Sequence, residues 1–170
     1  MRRITLISTG GTIEKTYDDR SGVLDNHSSV VHEMLGLIRL EDTAVHAVPL
    51  LNKDSLDITD ADRADIINAV RAAIDDGSAG VVVLHGTDTL CQTGEQLYEN
   101  LSGLSPVPVI LTGAMRPFEM KRSDALQNLT EALFATDALE PGVYVVAHGR
   151  ALKFPGPVKD KEAGTFVKPR

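Results

Sequence analysis

The chain predicts a single-domain α/β fold: a parallel sheet of about five strands in a three-layer αβα arrangement, flavodoxin-like or Rossmann-like. Three observations predict it. Apolar runs of strand length alternate with stretches of helical period along most of the chain. One run, Gly80–Leu84, is continuously apolar, as expected of a strand covered on both faces. Several strands lead directly into Gly-rich or charged turns. In open α/β sheets such turns line the crevice outside the carboxyl ends of the strands, where ligands bind.

Each element has a local reason. Strand one covers residues 3–8, with Ile4, Leu6 and Ile7 as its apolar part. The polar stretch 17–22 has no period and predicts a mobile loop. A first helix covers about 28–40, where Val31, Leu35 and Ile38 share a face. Strand two covers about 45–51. Thr59 caps a helix running through Asp76, with Ile66, Ile67, Val70 and Ile74 toward the core and Gly77 at its end. Strand three is Gly80–Leu84, followed by a helix over about 89–101. Strand four covers 107–111, between Pro106 and Thr112. Ser123 or Asp124 caps a helix that carries Leu126, Leu129 and Leu133, and strand five covers 143–147. The last 20 residues hold Pro155, Pro157 and Pro169 and show no clear period. The expected strand order is 2-1-3-4-5, with the switch point between strands one and three. The turns at 9–12 and 85–89 then lie side by side.

Bulk properties bound the function. At 170 residues, 42% of them hydrophobic and 24% charged, the chain matches one ordinary globular domain. No run approaches the roughly 18 apolar residues of a membrane helix, and no apolar leader with a cleavage site opens the chain. A membrane partner is not expected. One cysteine, Cys91, leaves no internal disulfide and fits a reducing, cytoplasmic setting. A net charge of −7 argues against nucleic acid as a partner. Residues 149–170 depart from this balance, with six Lys/Arg against two Asp/Glu. Such a segment is either a solvated end or a flap folded over an acidic cleft.

Four turns carry candidate chemistry: Thr9-Gly10-Gly11-Thr12, His85-Gly86-Thr87-Asp88-Thr89, Thr112 to Pro117, and His148 to Lys153. Two glycines before Thr12 allow a sharp turn that brings backbone N–H groups to a ligand and presents a hydroxyl. The turn lacks the Gly pattern of a dinucleotide site and the Gly-Lys-Ser/Thr ending of a phosphate loop. Thr87 and Asp88 place a hydroxyl and a carboxylate at a helix N-terminus. The carboxylate suits an ammonium group and the helix terminus suits a carboxylate, so the pair suits an amino acid. Asp88 or Thr87 can equally be a plain helix cap. A hydroxyl nucleophile needs a base, and a lysine serves when its surroundings lower its pKa. The tail offers Lys153, Lys159 and Lys161. No cofactor or metal is expected: His27, His32, His46 and His148 have no ligand spacing, and His85 reads as support for its loop. Cys91 reads as a small apolar packer.

Thr9-Gly10-Gly11-Thr12-Ile13, His85-Gly86-Thr87-Asp88-Thr89 and Gly113-Ala114-Met115-Arg116-Pro117 together resemble the bacterial-type L-asparaginase family. These threonine amidohydrolases cleave the side-chain amide of asparagine and, to varying extents, of glutamine. The resemblance covers essentially the whole chain but only the family's larger N-terminal domain. It implies that residues 1–170 form that domain, with the smaller C-terminal domain absent. It implies Thr12 as the nucleophilic threonine, Thr87 as the second catalytic threonine and Asp88 as the carboxylate for the substrate's α-amino group. Tyr17 takes the place of the family's mobile-loop tyrosine, and Gly11 and Gly86 of the two motifs flank the substrate. Asn52 falls where the family has a serine contacting the substrate carboxylate, which is a departure. The family lysine that pairs with Thr87 and Asp88 aligns with Lys159, with Lys161 close enough to compete. Which threonine attacks first stays open.

The expected partners are therefore a small-molecule substrate, L-asparagine or L-glutamine, and further copies of the chain. Without the second domain, uncovered helix surface near 89–101 and 123–138 favours a homo-oligomer, a dimer or larger. Three other readings compete. One is another enzyme of this fold, either a glutamine-preferring amidohydrolase or the amidase subunit of a transfer-RNA amidotransferase, although the chain is short and acidic for the latter. The others are a non-catalytic amino-acid-binding module and a fragment that needs a partner subunit.

Overall fold

The computed structural model describes residues 1–101 and 105–169. The strands are β1 (Arg2–Gly10), β2 (Thr16–Asp18), β3 (Val23–Asp25), β4 (Thr43–Lys53), β5 (Gly80–Leu84), β6 (Pro108–Thr112), β7 (Gly142–Ala147), β8 (Arg150–Lys153), β9 (Val158–Asp160) and β10 (Thr165–Val167). The α-helices are α1 (Val31–Gly36), α2 (Asp60–Asp75), α3 (Leu90–Asn100) and α4 (Ala125–Ala138). The main sheet has the order β4-β1-β5-β6-β7-β8. Its first five strands are parallel and follow the expected order 2-1-3-4-5. The sixth, β8, pairs antiparallel with β7.

Strand periodicity divides the core in two. Ile4, Leu6, Val82, Leu84, Ile110, Tyr144 and Val146 face α1 and α4. Ile7, Val81, Val83, Val109, Leu111, Val143 and Val145 face α2 and α3. Every residue of β5, β6 and β7 is buried, so these strands lie at the centre of a three-layer αβα domain. The β4 strand forms one edge and is only partly covered.

The cap expected at Thr59 is a full capping box: Thr59 accepts from the Asp62 N–H, and Asp62 accepts from the Thr59 N–H. At the start of α4 the work divides. The Ser123 hydroxyl accepts from the Ala125 N–H, whereas Asp124 reaches back to the N–H groups of Met115 and Arg116.

Three expectations are corrected. The first helix is shorter than 28–40, because the Ser29 hydroxyl turns to Glu14 and also accepts from the Val31 N–H, outside the helix. The loop at 17–22 is the tip of the β2–β3 hairpin. Asp18 organises it by accepting from the Arg20 N–H and the Ser21 hydroxyl, a local turn chemistry with no hydrophobic period to reveal it. The tail is not a solvated end: β8 extends the sheet, and β9 and β10 form a second hairpin. Arg170 lies outside the described residues.

Two phenylalanines seat the tail. Phe154 and Phe166 are buried in the layer shared with α2 and α3. Phe154 lies over Gly94 in α3, where an added Cβ would come 2.1 Å from the ring. The Gly156 N–H donates to Glu95 one residue further along α3.

The turn after β5 is built on His85. Its N–H donates to the Thr112 carbonyl, which ties the ends of β5 and β6 together. Its Nδ1–H donates to the Gly86 carbonyl at 2.8 Å, so Nε2 accepts from the Thr93 hydroxyl at 2.9 Å. Complete burial lowers its pKa to about 4 from 6.5, and the imidazole is neutral.

Two outcomes follow for stability. Gly94→Ala removes a mid-helix glycine, which alone would add about 1 kcal/mol. Overpacking against Phe154 costs about 1–3 kcal/mol and outweighs it, so urea unfolding should show a net loss. A stabilised Gly94→Ala protein would mean that Phe154 yields freely. For His85, the unfolded chain takes up a proton below pH 6.5 and the folded chain only near pH 4. The contribution is therefore complete above pH 6.5 and is lost on acidification toward pH 4. Between pH 7 and pH 5 this term is about 2 kcal/mol. Urea midpoints of His85→Gln at the two pH values should differ correspondingly less than those of the wild type.

Candidate functional site

The site is assembled where the carboxyl ends of β1, β4 and β5 meet the returning tail. Its first constraint is backbone contact. Gly11 has φ +78°, and an added Cβ there would lie 2.4 Å from the Cα and N of Gly86. The two motif turns therefore touch through glycines, and Thr12 and Thr87, the next residues on each, flank the contact. Gly86 in turn packs on Ser55, where its own added Cβ would lie 2.5 Å from the serine Cβ. Both glycines are buried, and their absent side chains make the close approach of the two turns.

Thr87 is 5% exposed. Lys159, on β9, donates from Nζ to the Thr87 Oγ1 at 2.8 Å and to the Asp88 Oδ1 at 2.9 Å. The Lys159 side chain is well covered and that of Asp88 is partly open. Lys153 and Lys161 take no part. Lys153 pairs with Tyr144 near the opposite end of β7, its amine 5.5 Å from the ring centre, and Lys161 is exposed beyond β9. The expected Thr87–Asp88–Lys159 cluster is formed by residues some 70 positions apart.

Thr12 is half-buried at the start of a single 3-10 turn, Thr12–Glu14. Of the three backbone N–H groups of the Gly10-Gly11-Thr12 turn, two are committed. The Gly10 N–H donates to the Glu14 carboxylate and the Gly11 N–H to the Lys53 carbonyl, leaving that of Thr12.

Tyr17 lies on β2, exposed, with its hydroxyl against the Gly22 turn of the hairpin. Its backbone N–H donates to Glu119. Asn52 is exposed near the end of β4 and donates to the Asn26 carbonyl, while the Asn26 side chain donates to the Gly11 carbonyl. Asn52 thus holds the far strand of the hairpin beside the Gly11 turn.

Two residues at the site escaped sequence reasoning. Glu14 is 1% exposed and accepts from the Gly10 N–H and the Ser29 hydroxyl. Burial raises its pKa and is opposed by these bonds and one from Ser8. The signal was a charged residue directly after the apolar Ile13 in a Gly-rich turn. Ser55, three residues past Asn52, is the buried hydroxyl at this strand end, and its carbonyl accepts from Thr89. Ion pairs Lys15–Asp54 and Lys53–Asp62 brace the same loop.

Cys91 behaves as expected of a packer: burial, with Glu95 adding to it and Lys159 opposing, pushes its thiol up to about 11. Among the described residues no group of three or more His, Cys, Asp or Glu could hold a metal, and no helix is long and apolar enough to cross a membrane.

The chain resembles known proteins over most of its length. A family model described as "Asparaginase, N-terminal" matches residues 3–157. A glutamyl-tRNA(Gln) amidotransferase component from Methanococcus maripaludis is 30% identical over 155 residues, covering 88% of this chain and 35% of that protein. L-asparaginase of Thermococcus kodakarensis is 33% identical over 143 residues, covering 84% of this chain and 43% of that one. The solved structure of the thermostable L-asparaginase from that organism superposes with a TM-score of 0.86 at 30% identity, over 98% of this chain and 51% of the other. A probable cytoplasmic L-asparaginase from Campylobacter jejuni gives 0.79 at 28%, over 99% and 52%. The chain spans between about a third and a half of the length of these relatives. With the matching motifs and the shared αβα sheet, these likenesses show that the chain belongs to the asparaginase family, in the part its N-terminal domain describes.

Proposed function

We propose that the chain is an amidohydrolase that cleaves the side-chain amide of L-asparagine to L-aspartate and ammonia. The observation that carries this reading is Lys159 bridging the Thr87 hydroxyl and the Asp88 carboxylate beside the Thr12 turn. One threonine hydroxyl, Thr12 by its motif, attacks the amide carbon as its proton passes toward the Thr87–Lys159 pair. The Thr12 N–H faces the developing oxyanion. The C–N bond breaks and nitrogen leaves as ammonia with the transferred proton. Water, activated by the same pair, then breaks the ester and releases aspartate. Asp88 is shared: it holds Lys159 and is open enough to meet the substrate's ammonium group. Ser55 and Asn52 stand at the strand end where the substrate carboxylate would lie. Tyr17, on its hairpin, reaches this site only if the hairpin closes.

We read residues 1–170 as one domain working with small-molecule amides in the cytoplasm and associating with its own copies. Phe134, 71% exposed on α4, supports self-association on that face.

A second reading has a specific observation behind it. Several relatives at 30–35% identity are components of glutamyl-tRNA(Gln) amidotransferases, which favours glutamine-amide chemistry coupled to a second protein.

The test is ammonia release from L-asparagine, L-glutamine and D-asparagine by the purified chain. Asparagine should be the best substrate, and Thr12→Ala and Thr87→Ala should each lower kcat by about 1,000-fold or more while circular dichroism stays native. Lys159→Met should lower kcat by about 100- to 10,000-fold. Folded threonine variants with near-normal rates would sink the assignment. Preference for glutamine, or release only on adding a partner, would favour the second reading.

A further inference from the structure

A second chain of polar groups lies behind Lys159, outside the cluster just described. The His148 Nε2 lies 2.7 Å from the Asp124 Oδ2, and the His148 Nδ1 lies 2.9 Å from the Thr165 Oγ1. The Asp124 carboxylate can only accept, so the His148 Nε2–H donates to it, and Nδ1 and the Thr165 hydroxyl share the second hydrogen bond. An Asp–His–Thr order is that of a hydrolase relay. The nearby backbone donors that could serve an oxyanion, the N–H groups of Met115 and Arg116, are however already spent on Asp124. The arrangement reads as an anchor.

The anchor is rigid at its base. Asp124 accepts from two backbone N–H groups, from His148 and from Asn128. Burial opposes its charge, but the bonds from Met115, His148 and Arg116 outweigh burial and hold its carboxyl below the usual range. Asn128 is 1% exposed, donates to the Gly113 carbonyl and accepts from the His148 N–H. His148 itself has φ +53°, in the left-handed region that a non-glycine residue rarely occupies, so its backbone is held where these bonds place it. The far end of the chain is Thr165, on β10. In the β9–β10 register Thr165 faces Asp160 and Phe166 faces Lys159. The hydroxyl that His148 grips is thus one residue from the position opposite Lys159.

We propose that His148 is a positioning residue: through Thr165 it fixes the β9–β10 hairpin and so aims Lys159 at Thr87 and Asp88. The consequence for catalysis rests on the reading of Lys159 given above. The placement of Lys159 does not, and it can be measured without turnover. The hairpin has only three residues per strand, and Phe166 holds it from the apolar side. Phe166 sets its depth, and the Thr165–His148 bond is a second attachment, on the polar side.

The experiment uses the full chain with ¹³C-labelled lysine and follows the Lys159 ε-carbon by NMR, assigned with Lys159→Arg. Thr165→Val removes the hydroxyl at nearly constant shape, and Thr165→Ser restores it. In Thr165→Val the Lys159 signal should move toward that of a free lysine, with kcat for ammonia release reduced about tenfold, the equilibrium equivalent of one lost hydrogen bond. Thr165→Ser should return both to wild-type values. A Lys159 signal unchanged in Thr165→Val would overturn the proposal. If the wild-type chain releases no ammonia from any amide, the functional reading fails, and the lysine signal still decides whether His148 and Thr165 aim Lys159.

Discussion

A lysine from the end of the chain rests on a threonine and an aspartate at the end of the third parallel strand, and the site depends on that contact. Its own energy cannot explain it. Asp88 is open to solvent, and pairs of this kind contribute about 1 kcal/mol or less. The tail is brought to the site by burial of Phe154 and Phe166 in the core, each worth about 2–3 kcal/mol of apolar transfer. The apolar anchors position the tail, and polar bonds then set its direction. This division explains how a marginal ion pair comes to be held in one geometry.

The same logic applies at the other half of the site. The Gly10–Thr12 turn follows a buried strand, and its N–H groups need partners. Glu14 and Lys53 supply them to Gly10 and Gly11, which stiffens the turn and leaves the Thr12 N–H beside the exposed part of the site. The cost is a buried carboxyl at Glu14, offset by its hydrogen bonds. Gly11 and Gly86 are required by space as much as by conformation, since any side chain at Gly11 would drive the two turns apart.

The five-strand parallel sheet was legible because its central strands β5, β6 and β7 are buried on both faces and read as continuous apolar runs, with stretches of helical period between them. The Thr59 cap was legible for a similar reason: its pattern is local. What could not be read is non-local. The strands β8, β9 and β10 are three or four residues long and mostly not buried, and they exist because Phe154 meets Gly94 and Phe166 enters the core. The β2–β3 hairpin turns on Asp18 side-chain bonds, which leave no hydrophobic period. Spacing alone left three lysines in contention. Family resemblance favoured Lys159 with Lys161 in competition, and it is the Lys159 amine, on β9, that reaches Thr87 and Asp88. The turn at His148 stood out as a strand-end turn, but the role of His148 could not be read, because its partners lie 24 residues before it and 17 after.

Where the groups come from bears on what this span of the family can do. Thr12, Thr87, Asp88 and Lys159 stand at one end of one sheet, from three separate segments of this chain. The matched span is about half of the length of the solved L-asparaginases, yet it contains both threonines, the carboxylate and the lysine. The packing of this one domain, glycine against glycine at the two turns and Phe154 and Phe166 in the core, is what brings these four residues together.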